Sequence, residues 1–232
     1  MPRRIAIVED EPAIRDNYAD ALKRHGYDVS TFPDRASATR AFSSRLPELV
    51  LIDVGLGVEI DGGFTLCRDL RAISPTLPVI FLTARDSEFD VVSGLRMGAD
   101  DYVPKTVSLP HLIARIAALF RRGDLADSPA RLEDLLARGP LTLDMKRMIA
   151  RWNNVPVELT LTELWMVHAL ARYPGHVKDR NALMREASIV VDDGTITSHV
   201  KRIRRKFQAA DNMFEAIETV YGMGYRWHSP VD

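Results

Sequence analysis

Three short runs of uninterrupted apolar residues punctuate the first half of the chain: Ile5–Val8, Leu49–Ile52 and Val79–Leu82. Acids, Pro or Thr bound them. Runs of this length without alternation predict strands buried on both faces, as in a parallel sheet. Val29–Phe32 and Tyr102–Val103 are weaker stretches of the same kind. Between them the apolar spacing changes to three and four. Pro12 sits just inside a helix start after Asp10, and Ile14, Tyr18 and Leu22 recur up to Gly26. Further helices are predicted over about Arg35–Arg45, Phe64–Ile73, Phe89–Met97 and Leu109–Arg122, the last with Leu112, Ile116 and Leu119 on one face. Strands alternating with helices in this way predict an α/β doubly wound, five-stranded parallel sheet.

The pattern lapses over GDLADSPARLEDLLARGP, residues 123–140, which reads as a linker with a short helix over Ala130–Arg138. Beyond it, β-like segments at Leu141–Leu143, Met148–Trp152 and Val157–Leu159 precede helical patterns at Thr162–Arg172, Arg180–Ala187 and about Thr195–Ala209. The segment TVYGMGYRW closes the pattern, with strands flanking Gly222-Met223-Gly224, a hairpin signal. A small sheet, three helices and a hairpin make an α+β winged-helix layout. The domains expected are therefore 1–122, a linker at 123–140, and 141–232.

Length agrees, since 232 residues exceed the roughly 100–150 of one domain. Hydrophobic residues at 46% and charged residues at 27% describe an ordinary globular chain and exclude long disorder. The lone cysteine, Cys67, excludes a disulfide framework and a multi-cysteine metal site. No apolar run approaches the ~20 residues that span a membrane, and the N-terminal apolar stretch is too short for a signal peptide. A cytoplasmic protein with no membrane partner is expected.

Net charge is −1, which excludes a basic coat over the whole surface. Divided along the chain, it is uneven. Residues 141–232 carry 13 basic and 11 acidic side chains, and five of the basic ones (Lys201, Arg202, Arg204, Arg205, Lys206) fall within six positions.

Two constellations carry candidate chemistry. In open α/β sheets ligands sit beyond the carboxyl ends of the strands. There the pattern puts Glu9 and Asp10 after the first strand, Asp53 after the third, Thr83 after the fourth and Lys105 after the fifth. Three carboxylates in one crevice call for a divalent cation, and oxygen-only ligands suit Mg²⁺. A carboxylate beside it can attack a phosphoryl group, with Lys105 and Thr83 facing the phosphoryl oxygens. The second constellation is the helix from Thr195. Ile196, Val200, Ile203 and Phe207 face the core, leaving Thr195, Ser198, His199, Lys201, Arg202, Arg204 and Arg205 on the opposite face. Such a helix fits a DNA major groove. His199 has no second His or Cys at ligand spacing and is expected on the surface; Trp152 and Trp165 are expected in the core.

The stretches IAIVEDEP, LVLIDV, Asp61-Gly62-Gly63, PVIFLTAR, GADDYVPK and LIARIAALFRR resemble the receiver domain of bacterial two-component response regulators. LTLTELWMVHAL, TSHVKRIRRKF and TVYGMGYRW resemble the winged-helix effector of the OmpR/PhoB subfamily. The resemblance implies a flavodoxin-like receiver phosphorylated on Asp53 by a sensor histidine kinase. It further implies Mg²⁺ held by Glu9, Asp10, Asp53 and the Gly55 carbonyl, a switch pair of Thr83 and Tyr102, and Lys105 on the phosphate. It places Thr195, His199, Lys201, Arg202 and Arg204 on double-stranded DNA, with Thr219, Tyr221 and Tyr225 in the wing. Asp100, Asp101, Arg115 and Arg122 match a dimer face used on phosphorylation, and RNA polymerase is an implied partner. The chain is then a transcriptional regulator and not an enzyme, with at most self-dephosphorylation.

It departs from the family pattern at Thr106, where Pro usually follows the lysine, and at Gly57, where Pro is usual in a loop that here is one residue longer. Tyr221 replaces a common wing Arg, and Val91, His111 and Ala117 replace common dimer-face charges. The loop and the Lys105-Thr106 pair are similar to a proteobacterial branch found beside dedicated sortase systems. A haloacid-dehalogenase-type phosphatase would need a second Asp at position 55, which is Gly. The other alternative is a phosphorylation-independent winged-helix protein with a structural, receiver-like dimerisation domain.

Overall fold

The computed structural model describes residues 1–83, 98–126, 135–187 and 193–228. It divides into two compact units, Met1–Ile116 and Ala117–Asp232. In the first, β1 (Arg4–Val8), β2 (Asp28–Phe32), β3 (Leu49–Asp53), β4 (Val79–Thr83) and β5 (Asp101–Pro104) form a sheet in the order β2-β1-β3-β4-β5. Every pairing is parallel. The apolar runs of β1, β3 and β4 are buried throughout because helices cover both faces of such a sheet. α1 (Pro12–Arg24), α2 (Arg35–Phe42) and α3 (Gly62–Ile73) alternate with the strands, and α4 (Leu109–Ala126) follows β5. The helix expected over Phe89–Met97 lies outside the described residues. Asp34 caps α2 by accepting from the Ser37 amide at 2.7 Å, and Pro12 opens α1.

Two glycines shape the loop after Asp53. Leu56 and Glu59 exchange backbone hydrogen bonds of 3.0 and 3.2 Å, and Gly57 between them has φ +64°. Proline holds φ near −65°, so a Pro at position 57 has no place on this path, and the loop turns through a left-handed residue instead. Val58 and Ile60 are left exposed. Gly63 lies against the strand end itself: a Cβ there would come within 2.0 Å of the Asp53 carbonyl oxygen.

The second unit opens with an antiparallel sheet, β6 (Leu135–Arg138), β7 (Leu141–Asp144), β8 (Ile149–Trp152) and β9 (Val155–Val157). β6 lies inside the stretch read as linker, where a helix over Ala130–Arg138 was expected. Leu136 is buried while Leu135 and Ala137 are exposed, and pairing with β7 satisfies a backbone that helix periodicity alone cannot anchor. Asn153 and Asn154, at φ +50° and +67°, turn β8 into β9. α5 (Leu161–Ala171), α6 (Arg180–Glu186), α7 (Asp193–Ala210) and the hairpin β10 (Ile217–Val220) with β11 (Gly224–Trp227) complete a winged helix. Its centre is aromatic: Trp152 meets Phe207 and Phe214 edge-on at 5.6 and 4.9 Å, and Phe207 stacks on Phe214 at 4.6 Å. Trp152 and Trp165 are both buried.

Gly63→Ala tests the close approach of α3 to Asp53. It is expected to cost about 1–3 kcal/mol through overpacking, read as an earlier unfolding transition of the first unit in denaturant.

Candidate functional site

The strand order changes direction between β1 and β3, and the crevice at their carboxyl ends collects the first constellation. Glu9 follows β1 and is buried, Asp10 is exposed, and Asp53 is the last residue of β3. Glu9, Asp10 and Asp53 each offer a carboxylate oxygen within 4.8 Å of the others. Lys105, just after β5, puts its Nζ 2.8 Å from Glu9 Oε1 and 2.8 Å from Asp53 Oδ2. Its backbone N–H donates to the Thr83 carbonyl at 2.7 Å. Thr83 ends β4 and is buried. Tyr102 is buried as well, its ring 6.2 Å from that of Phe81. Gly55, two residues beyond Asp53, is half-buried.

Burial and the Lys105 ammonium set the electrostatics of the crevice. Burial pushes the carboxyls of Asp53 and Glu9 above the ordinary range, and hydrogen bonds from Lys105 only partly reverse this. Burial also works against the ammonium of Lys105, but its bonds to Asp53 and Glu9 prevail and raise its pKa. Among the described residues, Lys105 pairs with two of the three carboxylates, those of Glu9 and Asp53. Glu9 Oε2 is buried and receives no well-directed hydrogen bond, although Lys105 Nζ lies 2.8 Å away. A hard divalent cation fits this donor set: it takes oxygen ligands and would complete the charge balance.

The residues expected at a dimer face are held within their own chain. Asp100 is buried and accepts from Arg71 Nη2 at 2.8 Å and from the Val79 amide at 3.1 Å. Asp101 is buried against Arg115 Nη1 at 2.8 Å. Arg122, in the second unit, is buried and donates to Thr162 Oγ1 at 2.6 Å. Asp100, Asp101 and Arg122 are therefore corrected to interior positions, since a cross-subunit pair would first have to break these contacts.

The basic helix needs a similar correction. His199, expected at the surface, is 0% exposed, and Arg202 is 4% exposed. Arg202 pairs with Glu163 through Nε, and its Nη2 lies 3.0 Å from His199 Nδ1. Lys206 Nζ reaches the other Glu163 oxygen at 2.7 Å. These two cations, after overcoming its burial, hold the Glu163 carboxyl far below the usual range. Arg204 donates to the Ile217 carbonyl at 2.9 Å and to Thr219 Oγ1 at 2.8 Å, fastening the hairpin to α7. Thr195 and Tyr225 are also buried. Arg204 and Thr219 are half-exposed, as is Ser198, while Lys201 and Arg205 on α7 and Tyr221 at the hairpin tip are exposed. Positions 198, 201 and 205 lie on one helical face. Sequence reasoning missed Glu163 as a counterion. Its spacing from Thr160 is that of a capping box, which is present here, but nothing in the spacing shows where its second role points.

Two family models match: "Response regulator receiver domain" over residues 5–117 and "Transcriptional regulatory protein, C terminal" over residues 154–227. The sensory transduction protein RegX3 of Mycolicibacterium smegmatis is 38% identical over 96% of this chain and 97% of its own length. This chain belongs to the OmpR/PhoB family of response regulators. Among solved structures, the response regulator DrrB, an OmpR/PhoB homologue from Thermotoga maritima, is 25% identical. It covers 98% of this chain and 100% of its own, with a TM-score of 0.52. A RitR mutant, at 21% identity and a TM-score of 0.79 over 98% of this chain and 100% of its own, shares the fold. Among the described residues no helix is long and apolar enough to cross a membrane.

The pocket carboxyls make a stability prediction. A carboxyl whose folded pKa is raised contributes stability below its unfolded value of about 4 and loses it as pH rises through the folded value. Asp53→Asn should therefore raise the thermal midpoint of metal-free protein at neutral pH, with the gain shrinking toward pH ~4. Mg²⁺ should raise the wild-type midpoint and move the variant less. Thermal unfolding over a pH series with and without Mg²⁺ checks both.

Proposed function

We propose that this response regulator is switched by phosphorylation of Asp53 and then acts on transcription by binding promoter DNA. The observation that carries the reading is the Lys105 ammonium, 2.8 Å from both Glu9 and Asp53 within the three-carboxylate crevice. In the transfer from a sensor histidine kinase, an Asp53 oxygen attacks the phosphorus of a phosphohistidine. The new O–P bond forms as the N–P bond breaks, and the imidazole leaves with the electron pair and takes up a proton. Lys105 follows the charge from the carboxylate onto the phosphoryl oxygens. Glu9, Asp10, Asp53 and the Gly55 carbonyl would hold Mg²⁺, which neutralises the crowded oxygens when bound. Thr83 donates its hydroxyl to the phosphoryl group, and Tyr102 is the aromatic partner of that switch. Self-dephosphorylation by water at the same centre resets it.

The phosphorylated receiver is proposed to pair with a second copy. With Asp100, Asp101 and Arg122 occupied at home, the stripe of α4 at His111, Ala114, Ala117 and Arg121, exposed among the described residues, is the surface proposed for this contact. It carries fewer ion pairs than relatives use. Two winged helices then meet adjacent half-sites, where RNA polymerase is the onward partner. Lys201 and Arg205, flanking Ser198 on the exposed face of α7, take the DNA. Arg202, His199 and Lys206 build the helix's support. Tyr221, 93% exposed, tips the wing without a cation.

Incubation with acetyl phosphate and Mg²⁺ should add one phosphoryl group, lost in Asp53→Asn. A wild-type chain that takes no label would leave the receiver as a structural dimerisation module. On DNA, Lys201→Ala and Arg205→Ala should each weaken binding and reduce the slope of log affinity against log salt by about 1 where they contact phosphate. Arg202→Ala should instead cost about 1–3 kcal/mol of winged-helix stability, because it leaves Lys206 as the remaining counterion shown for the buried Glu163 carboxylate. Binding titrations over a salt series and thermal unfolding separate the two effects.

A further inference from the structure

Helix α1 starts two residues beyond Asp10 and sends two side chains back to the loops that carry the pocket charges. Arg15 Nη1 donates to the Glu9 carbonyl at 2.9 Å and to the Asp10 carbonyl at 3.4 Å. Three residues on, on the same face of the helix, the buried Tyr18 donates its hydroxyl to the backbone carbonyl of Lys105 at 3.3 Å. The Lys105 backbone is thereby gripped from both sides. Its N–H is tied to Thr83 at 2.7 Å, its carbonyl to Tyr18, and the turn around it is closed by the Val107 amide on the Pro104 carbonyl at 2.9 Å. Thr106, which follows, brings no ring to stiffen that turn. A lysine ammonium sits on a flexible four-carbon stem, so its position over two carboxylates is only as well defined as the backbone from which it hangs.

We infer that Tyr18 is a positioning residue of the phosphoryl site: its hydroxyl fixes the Lys105 turn so that the ammonium spans Glu9 and Asp53. The inference rests on the reading of Asp53 as phospho-acceptor. Tyr18 touches none of the three carboxylates in any hydrogen bond of the structure and acts through the lysine's main chain. A buried tyrosine hydroxyl needs some partner, and a merely structural bond would leave the chemistry alone. Here the partner is the one residue whose side chain must stay with the transferring group. Displacement of a charge-stabilising group by about 1 Å is enough to slow a reaction severely, and loss of one neutral hydrogen bond limits the effect to about three- to tenfold.

The test uses the full-length protein and its Tyr18→Phe variant, which keeps the ring and its packing. Initial rates of Asp53 labelling are measured against acetyl phosphate concentration, and Mg²⁺ binding is measured by calorimetry without phosphodonor. Tyr18→Phe is expected to label about three- to tenfold more slowly while binding Mg²⁺ no more weakly than wild type, because Glu9, Asp10 and Asp53 are untouched. An unchanged labelling rate would overturn the inference. So would a rate loss matched by an equal weakening of Mg²⁺ binding, which would signal general damage to the crevice. A wild-type protein that binds Mg²⁺ but takes no label would instead refute the phospho-acceptor reading, and the role of Tyr18 with it.

Discussion

The ammonium of Lys105 holds two crowded carboxylates, of Glu9 and Asp53, at 2.8 Å each, and the loops at the carboxyl edge of the sheet are arranged to keep it there. Few arrangements satisfy this demand. Taking charge out of water is costly unless the charge is paired, and the crevice brings three acids together, two of which share Lys105. β1, β3 and β5 each deliver one part of the set from its last residues or the loop beyond. The parallel sheet is thus the scaffold that makes the pairing geometrically possible.

The winged-helix unit answers the same demand with the signs exchanged. Glu163 is wholly buried, and Arg202 and Lys206 converge on it from α7. This divides the work of the basic run. Some of its cations neutralise an internal carboxylate, one ties α7 to the β10–β11 hairpin, and those on the remaining face stay in solvent. A patch of positive charge in a sequence therefore overstates the positive charge available to a polyanion, because the acids that quench it can come from a helix about forty residues away.

Much of the fold was legible because it rests on periodicity. Runs as short as Leu49–Ile52 read as strands buried on both faces, and Ile196, Val200, Ile203 and Phe207 recur at helical spacing on one face, which is buried. The crevice was legible for a related reason, since each of its residues ends its own strand. Less legible were the places where one element borrows a partner from another. β6 forms because β7 is there to pair with it, whereas its own residues also suit a short helix. His199 and Arg202 are buried, with Arg202 held against Glu163 of α5, which helix spacing alone does not show.

By itself, then, the sequence determined the order of elements, the identity of the crevice residues and the family to which they point, because these depend on local pattern and on residue type at strand ends. Only the tertiary structure decided how the charges are distributed among partners. It placed Asp100 on Arg71, Asp101 on Arg115, Arg202 on Glu163 and the Tyr18 hydroxyl on the Lys105 carbonyl. The reason is physical. Burial and pairing are set by which surfaces meet across long stretches of chain, and a charge has no fixed role until its desolvation and its counterion are both known.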